Sequence, residues 1–245
     1  MLIQRIPPLR DAVHHSGRDD GLFWGSYMNY DKLMEIYDLL YERYGPQHWW
    51  PGDGRFEVCV GAILTQNTNW GNVEKAIANL KAADCLTAVK LHGMETSELA
   101  ELIRPAGYYN IKAARLKSFL DWLFDNYAGD LSGLEKLSSD VLREELLGIK
   151  GIGAETADSI VLYGFEKAVF VVDAYTCRIL GRHGLIEEGA GYEQVRDFFE
   201  SNLPTDLKLF NEYHALFVRV GKEYCRPKPR CEGCPLTSLP HEGGA

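Results

Sequence analysis

At 245 residues, 46% hydrophobic and 25% charged, the chain has the makeup of a globular protein forming one large domain or two lobes sharing a cleft. No apolar run approaches the ~20 residues of a membrane span. The opening Met1-Leu-Ile-Gln-Arg-Ile-Pro-Pro-Leu-Arg10 is not a signal peptide, so the cytoplasm is expected, with no membrane partner. A net charge of −9 argues against a broadly cationic surface for a polyanion.

Residues 1–28 lack sustained periodicity and contain Pro7-Pro8, Gly17 and Asp19-Asp20-Gly21; residues 1–30 read as an N-terminal extension. From residue 31 the pattern turns helical, with Leu33, Ile36, Leu39 and Leu40 on one apolar face. Residues 45–55 interrupt it with Gly-Pro, Trp49-Trp50-Pro51 and Gly-Asp-Gly. Phe56 to Leu64 then forms a strongly apolar helix that ends at Gln66 and Asn67. The spacing predicts further helices near 70–82, 96–103, 110–127, 138–147, 154–164, 174–183, 191–202 and 207–222. With no convincing strand, the fold class is all-α. Cys59, Cys85 and Cys177 fall in helical contexts and read as core residues, as do Trp49, Phe56 and Tyr108.

The densest signal is Leu147-Gly-Ile-Lys-Gly-Ile-Gly-Ala-Glu-Thr-Ala157, followed by Val171-Val172-Asp173. Gly151 and Gly153 stand between two amphipathic patterns and predict a tight hairpin joining two helices. The second helix starts near Ala154, so its first N–H groups lack intrahelical partners and suit an anion such as a DNA phosphate. A lone pair of glycines is as readily an ordinary helix-to-helix turn. Asp173 follows the apolar run Ala168-Val-Phe-Val-Val172 at the start of the next helix. It is a natural N-cap, and burial after such a run predicts a raised pKa.

Hairpin and aspartate together resemble the helix-hairpin-helix DNA glycosylase superfamily, of which endonuclease III is one branch. Trp49-Trp50-Pro51, Leu64-Thr-Gln-Asn-Thr68 with Trp70, and Arg104-Pro-Ala-Gly-Tyr-Tyr-Asn-Ile-Lys-Ala-Ala-Arg-Leu116 resemble the 3-methyladenine DNA glycosylase III group most. The resemblance implies a two-lobed helical domain over 31–224. Its central lobe spans about 65–165, and the second lobe forms from the N-terminal and C-terminal helices. It implies a monomeric base-excision enzyme acting on double-stranded DNA with a damaged base. Asp173 is the implied catalytic carboxylate. Gly148, Lys150, Gly151, Gly153, Ala154, Glu155 and Thr156 form the implied backbone-gripping hairpin.

Bifunctional relatives carry a Schiff-base lysine where this chain has Glu155, so water is the expected nucleophile and no strand cleavage is expected. Lys150 is an amine on the other side of the hairpin. Trp50 and Trp70 are implied to line the base pocket, sandwiching a cationic alkylated base. Gln66 or Asn67 is implied to fill the gap it leaves. Lys112, Arg115, Lys117, Arg178 and Arg182 can form a local basic strip, with acidic clusters at 97–101, 138–145 and 187–200 turned away, although for any single one of them a solvated helix face is the better reading. An endonuclease III-like pyrimidine glycosylase and a non-catalytic hairpin DNA-binding module stay open as alternatives.

Cys225-x5-Cys231-x2-Cys234 lies in a basic, proline-rich loop over 225–245, a spacing of soft thiolates that suggests a metal centre. The resemblance implies a four-cysteine [4Fe–4S] loop. Here the first spacing is one shorter, and Pro240 replaces the fourth cysteine, leaving His241 as a substitute ligand. A cluster, zinc through three cysteines and His241, and free thiols all remain open at this level.

Overall fold

The computed structural model describes residues 20–241, with side chains from residue 29 onward. No strand occurs among the described residues, and none of their helices is long and apolar enough to cross a membrane. The first helix, α1 (Asp20–Tyr44), starts well before the onset at 31 that periodicity suggests; Gly21 and Gly25 interrupt the pattern there. The predicted extension lies outside the described residues as far as residue 19.

One lobe is built on α2 (Arg55–Thr65), whose residues Val58 to Leu64 are buried without a break. Such a helix needs cover on every side. It packs against α3 (Trp70–Ala82), α6 (Tyr109–Tyr127) and α9 (Ala154–Ser159). Around them lie α4 (Ala88–Gly93), α5 (Thr96–Leu102), α7 (Ser132–Glu135) and α8 (Ser139–Leu147). Periodicity does not reveal α4, α7 or the 3₁₀ turn Arg104–Ala106, because one or two turns offer too few positions to establish a period. The predicted helix over 154–164 divides instead: after Ser159 the chain widens into a π-helical turn, Ile160–Gly164. Such turns are rare and tend to re-aim side chains at sites of function; this one carries Tyr163.

The other lobe joins α1 to α10 (Ala174–Arg182), α11 (Tyr192–Asn202) and α12 (Leu207–Glu223). Leu33, Ile36 and Leu40 bury the inner stripe of α1, and the Tyr213 hydroxyl of α12 donates 2.6 Å to the Leu33 carbonyl. The N-terminal helix thus closes onto the C-terminal ones. Phe170, Phe199, Phe210, Tyr213 and Phe217 form a fully buried aromatic core here. The π turn touches both α2 and α12 and is the seam between the lobes.

Phe199 stacks on Phe170 at 3.7 Å, at the centre of that core. Phe199→Ala is expected to cost about 3–5 kcal/mol of stability. The check is a lowered urea midpoint with an unchanged slope.

Candidate active site

The hairpin runs from the end of α8 to the start of α9. Gly148 N–H bonds back to Glu144 and Glu145, Ile149 to Leu146, and Ile152 to Ile149. Ile149 and Ile152 are buried and root the turn, leaving Lys150, Gly151 and Gly153 exposed. Gly151 has φ +92, and a Cβ there would lie 2.5 Å from Cγ of Arg115, so both conformation and packing require glycine. Gly153 differs. Its φ is −98, and a Cβ there would meet nothing within 4 Å. Nothing inside the protein demands a glycine at 153; the open space lies where a phosphate would approach the first amides of α9.

Gln66 stands opposite the hairpin, at the end of α2. Its Nε2 donates to the Gly151 carbonyl and to Thr156 Oγ1, both at 3.0 Å, and its Oε1 accepts from Arg115 Nη1. All of this side chain's polar atoms are committed. Asn67 alone of the two gap-filling candidates is exposed, on a backbone with φ +52. The loop and the hairpin are therefore clamped through Gln66 and Arg115.

Asp173 caps α10. Its Oδ1 accepts from Thr176 N at 2.7 Å and from Thr176 Oγ1 at 2.9 Å. Its Oδ2 faces His214 Nε2 of α12 at 3.6 Å. Burial pushes this carboxyl up, but the His214 ring and the Thr176 donors together outweigh it and hold Asp173 below the ordinary carboxylate range. The raised pKa expected from the apolar run is thus corrected: desolvation is present but overruled by donors that the sequence does not display. Glu155 behaves in the opposite way. Its side chain is exposed, yet desolvation by the protein around it, with the negative charge of Asp173, pushes it up to about 7.

Trp49, Trp50 and Trp70 gather beside this pair. Trp50 meets Trp70 edge-on, with centroids 4.9 Å apart at 80°, and Tyr163 at 5.1 Å. The two tryptophans leave no room for a base between them, so the expected sandwich is replaced by one continuous aromatic wall. Tyr163 continues it inward: its hydroxyl is 2.5 Å from His214 Nδ1. Sequence reasoning misses both Tyr163 and His214. The available signal is a polar ring on the otherwise apolar buried face of α12.

Three other expectations need correction. The basic strip does not form. Lys112 is buried, its ammonium held by the Leu64 and Ala106 carbonyls, with burial pushing it down to about 8. Lys117 binds the Leu91 and His92 carbonyls, Arg178 that of Cys225, and Arg182 those of Arg226 and Pro227. With Arg115 on Gln66, all five cations hold unsatisfied carbonyls or side chains at element ends. Tyr108 is no core residue but 67% exposed, at a left-handed position before α6. Cys177 is half-buried, whereas Cys59 and Cys85 are fully buried.

Cys225, Cys231, Cys234 and His241 line one pocket with Arg182, Tyr224 and Leu236. The Cys225 sulfur accepts from Arg182 Nη1 at 3.2 Å. Among the described residues no three His, Cys, Asp or Glu side chains converge closely enough for a single metal ion. Three thiols and an imidazole around one pocket are soft donors of the kind that iron–sulfur clusters and zinc both take.

Comparison with known proteins agrees with this geometry. The profile of a family described as HhH-GPD superfamily base excision DNA repair protein matches residues 60–205. A Methanocaldococcus jannaschii protein named as a candidate DNA repair glycosylase is 50% identical over 209 residues, covering 84% of this chain and 94% of its own. Endonuclease III of Thermotoga maritima is 31% identical over 180 residues, covering 73% and 79%. Among solved structures, the H. pylori 3-methyladenine DNA glycosylase bound to 1,N6-ethenoadenine superposes with a TM-score of 0.65 at 32% identity, covering 81% of this chain and 97% of that one.

Glu155 couples the site to stability. Its native carboxyl, at about 7, binds a proton more tightly than the 4.5 of an unperturbed glutamate. The stability this provides is present below pH 4.5 and is lost as pH rises through 7. Glu155→Gln is expected to flatten that fall and to raise the melting temperature above pH 7 relative to the parent, as checked by thermal denaturation across the range.

Proposed function

The chain belongs to the HhH-GPD superfamily of base excision DNA repair proteins, and from that footing we propose that it is a monofunctional DNA glycosylase hydrolysing the N-glycosidic bond of alkylated purines such as 3-methyladenine. The observation that carries this reading is the aromatic wall ending at an ionised carboxylate: Trp70, Trp50 and Tyr163 in contact, with Asp173 beyond. An extruded base needs a π-face to rest on, and a cationic alkylated base gains most from one. The base stacks on the open side of the wall. Similarity to the H. pylori enzyme supports the same substrate class.

In this reading the amides at Gly153 and Ala154 hold the backbone phosphate next to the lesion, Lys150 lies beside it, and Asn67 enters the gap in the duplex. Bond cleavage builds positive charge on the sugar, and Asp173 stabilises that charge and orients the attacking water. Glu155 occupies the place of the Schiff-base lysine and has no amine to offer. The protein acts as a monomer in the cytoplasm. Cys225, Cys231 and Cys234, with His241 as fourth ligand, would hold a [4Fe–4S] cluster that braces the C-terminal loop, with Arg226, Lys228 and Arg230 facing phosphate.

A panel of duplexes carrying single defined lesions tests the assignment. Excision is expected for alkylated purines and not for oxidised pyrimidines, leaving an intact abasic strand. Asp173→Asn, which keeps size and capping ability, is expected to lose about 10²–10³-fold in single-turnover rate with DNA binding retained. Borohydride is expected to trap no covalent adduct; a robust adduct would point to Lys150. For the loop, anaerobically purified protein is expected to be brown, with about four irons and four sulfides per chain. Colourless, iron-free protein with full activity would remove the cluster.

A further inference from the structure

His214 has no part in the reaction as derived so far, yet its surroundings are specific. The side chain is 7% exposed, on the inner face of α12. Its Nδ1 lies 2.5 Å from the Tyr163 hydroxyl. Burial pushes that phenol well above its ordinary pKa, so at neutral pH it keeps a proton that it can donate to Nδ1. A ring nitrogen that accepts leaves the imidazole hydrogen on the other one. The other nitrogen, Nε2, has no hydrogen-bond partner within the protein and faces Asp173 Oδ2 at 3.6 Å. The second carboxylate oxygen is already committed to Thr176.

We propose that Tyr163 and His214 form a positioning relay for Asp173, in which the phenol fixes the imidazole tautomer and Nε2–H steadies the carboxylate oxygen turned toward the sugar. The proposal rests on the glycosylase reading for its catalytic meaning. Tyr163 is also the inner end of the aromatic wall, so contact with the extruded base and control of the carboxylate run through the same ring. The relay is poised rather than closed: 3.6 Å is long for a hydrogen bond, and catalytic contacts commonly tighten when substrate binds. Charged and titratable groups also reach Asp173 from the neighbouring elements. They are Glu155 of α9, Tyr175 and Cys177 of α10, and Lys222 of α12. Of these only Lys222 is cationic, and Glu155 titrates closest to neutrality, so its contribution is separated in a Glu155→Gln background.

The test compares the parent with His214→Asn and Tyr163→Phe. In single-turnover excision against pH, His214→Asn is expected to move the acid limb up by about one pH unit, because a carboxylate stripped of its donor is left with its desolvation. Tyr163→Phe keeps the ring and its packing and is expected to move the limb the same way by less. Two readouts need no activity. Nitrogen chemical shifts of His214 in the parent should report the Nε2–H tautomer, and the Asp173 carboxyl carbon should titrate at higher pH in both variants. An Nδ1–H tautomer, or an Asp173 titration unmoved by either change, would overturn the relay. If His214→Asn does not fold, Tyr163→Phe and the parent's tautomer decide the matter. A parent that excises no lesion would instead overturn the glycosylase reading, with the carboxyl titration still testing the relay.

Discussion

The double hydrogen bond from Thr176 to one oxygen of Asp173 is the interaction on which the rest of the site depends. An N-cap satisfies an orphan amide and fixes where a helix begins. Here it also splits a carboxylate into two unequal oxygens, one structural and one free to act. Folding of α10 and aiming of the charge are then a single event. A buried carboxylate placed on a flexible loop would have to be held by contacts made for that purpose alone. Placed at a helix start, it is held by a bond that the helix requires anyway.

The local parts of this design were legible in the chain. The paired glycines, the apolar run and Asp173 lie within thirty residues, and their spacing alone forecasts helix, turn, helix and cap. Most longer helices fall where periodicity puts them, since three or more turns of apolar residues leave a clear stripe. What the chain hides is contact across the fold. His214 reads as one polar residue in an apolar stretch, and nothing near it in sequence says that Asp173 lies opposite. Gln66 and Asn67 are adjacent and look interchangeable until one is seen clamped and the other exposed. The cations hide their partners for the same reason: periodicity shows that Lys112 sits on a helix, not that the last turn of another helix aims the Leu64 carbonyl at it.

That use of the cations resolves the tension between an acidic chain and a polyanionic partner. Positive side chains are spent on the protein's own backbone, where they tie element ends together. On the proposed reading, the hairpin amides share the grip on phosphate with the few cations left outside this network, Lys150 among them.

The clamp of Gln66 and Arg115 onto the hairpin has a mechanical consequence. The loop that carries Asn67 and the hairpin turn are locked at a fixed separation, set by packing that admits not even a methyl group at Gly151. A duplex that engaged both, as the proposed function has it, would have to conform to that gauge. Smooth bending costs DNA on the order of 1–6 kcal/mol over a site, and least where stacking is already weakened. On the proposed reading, the rigid element would turn local stiffness of the duplex into a signal, since intact sequence resists an imposed kink more than a damaged step does.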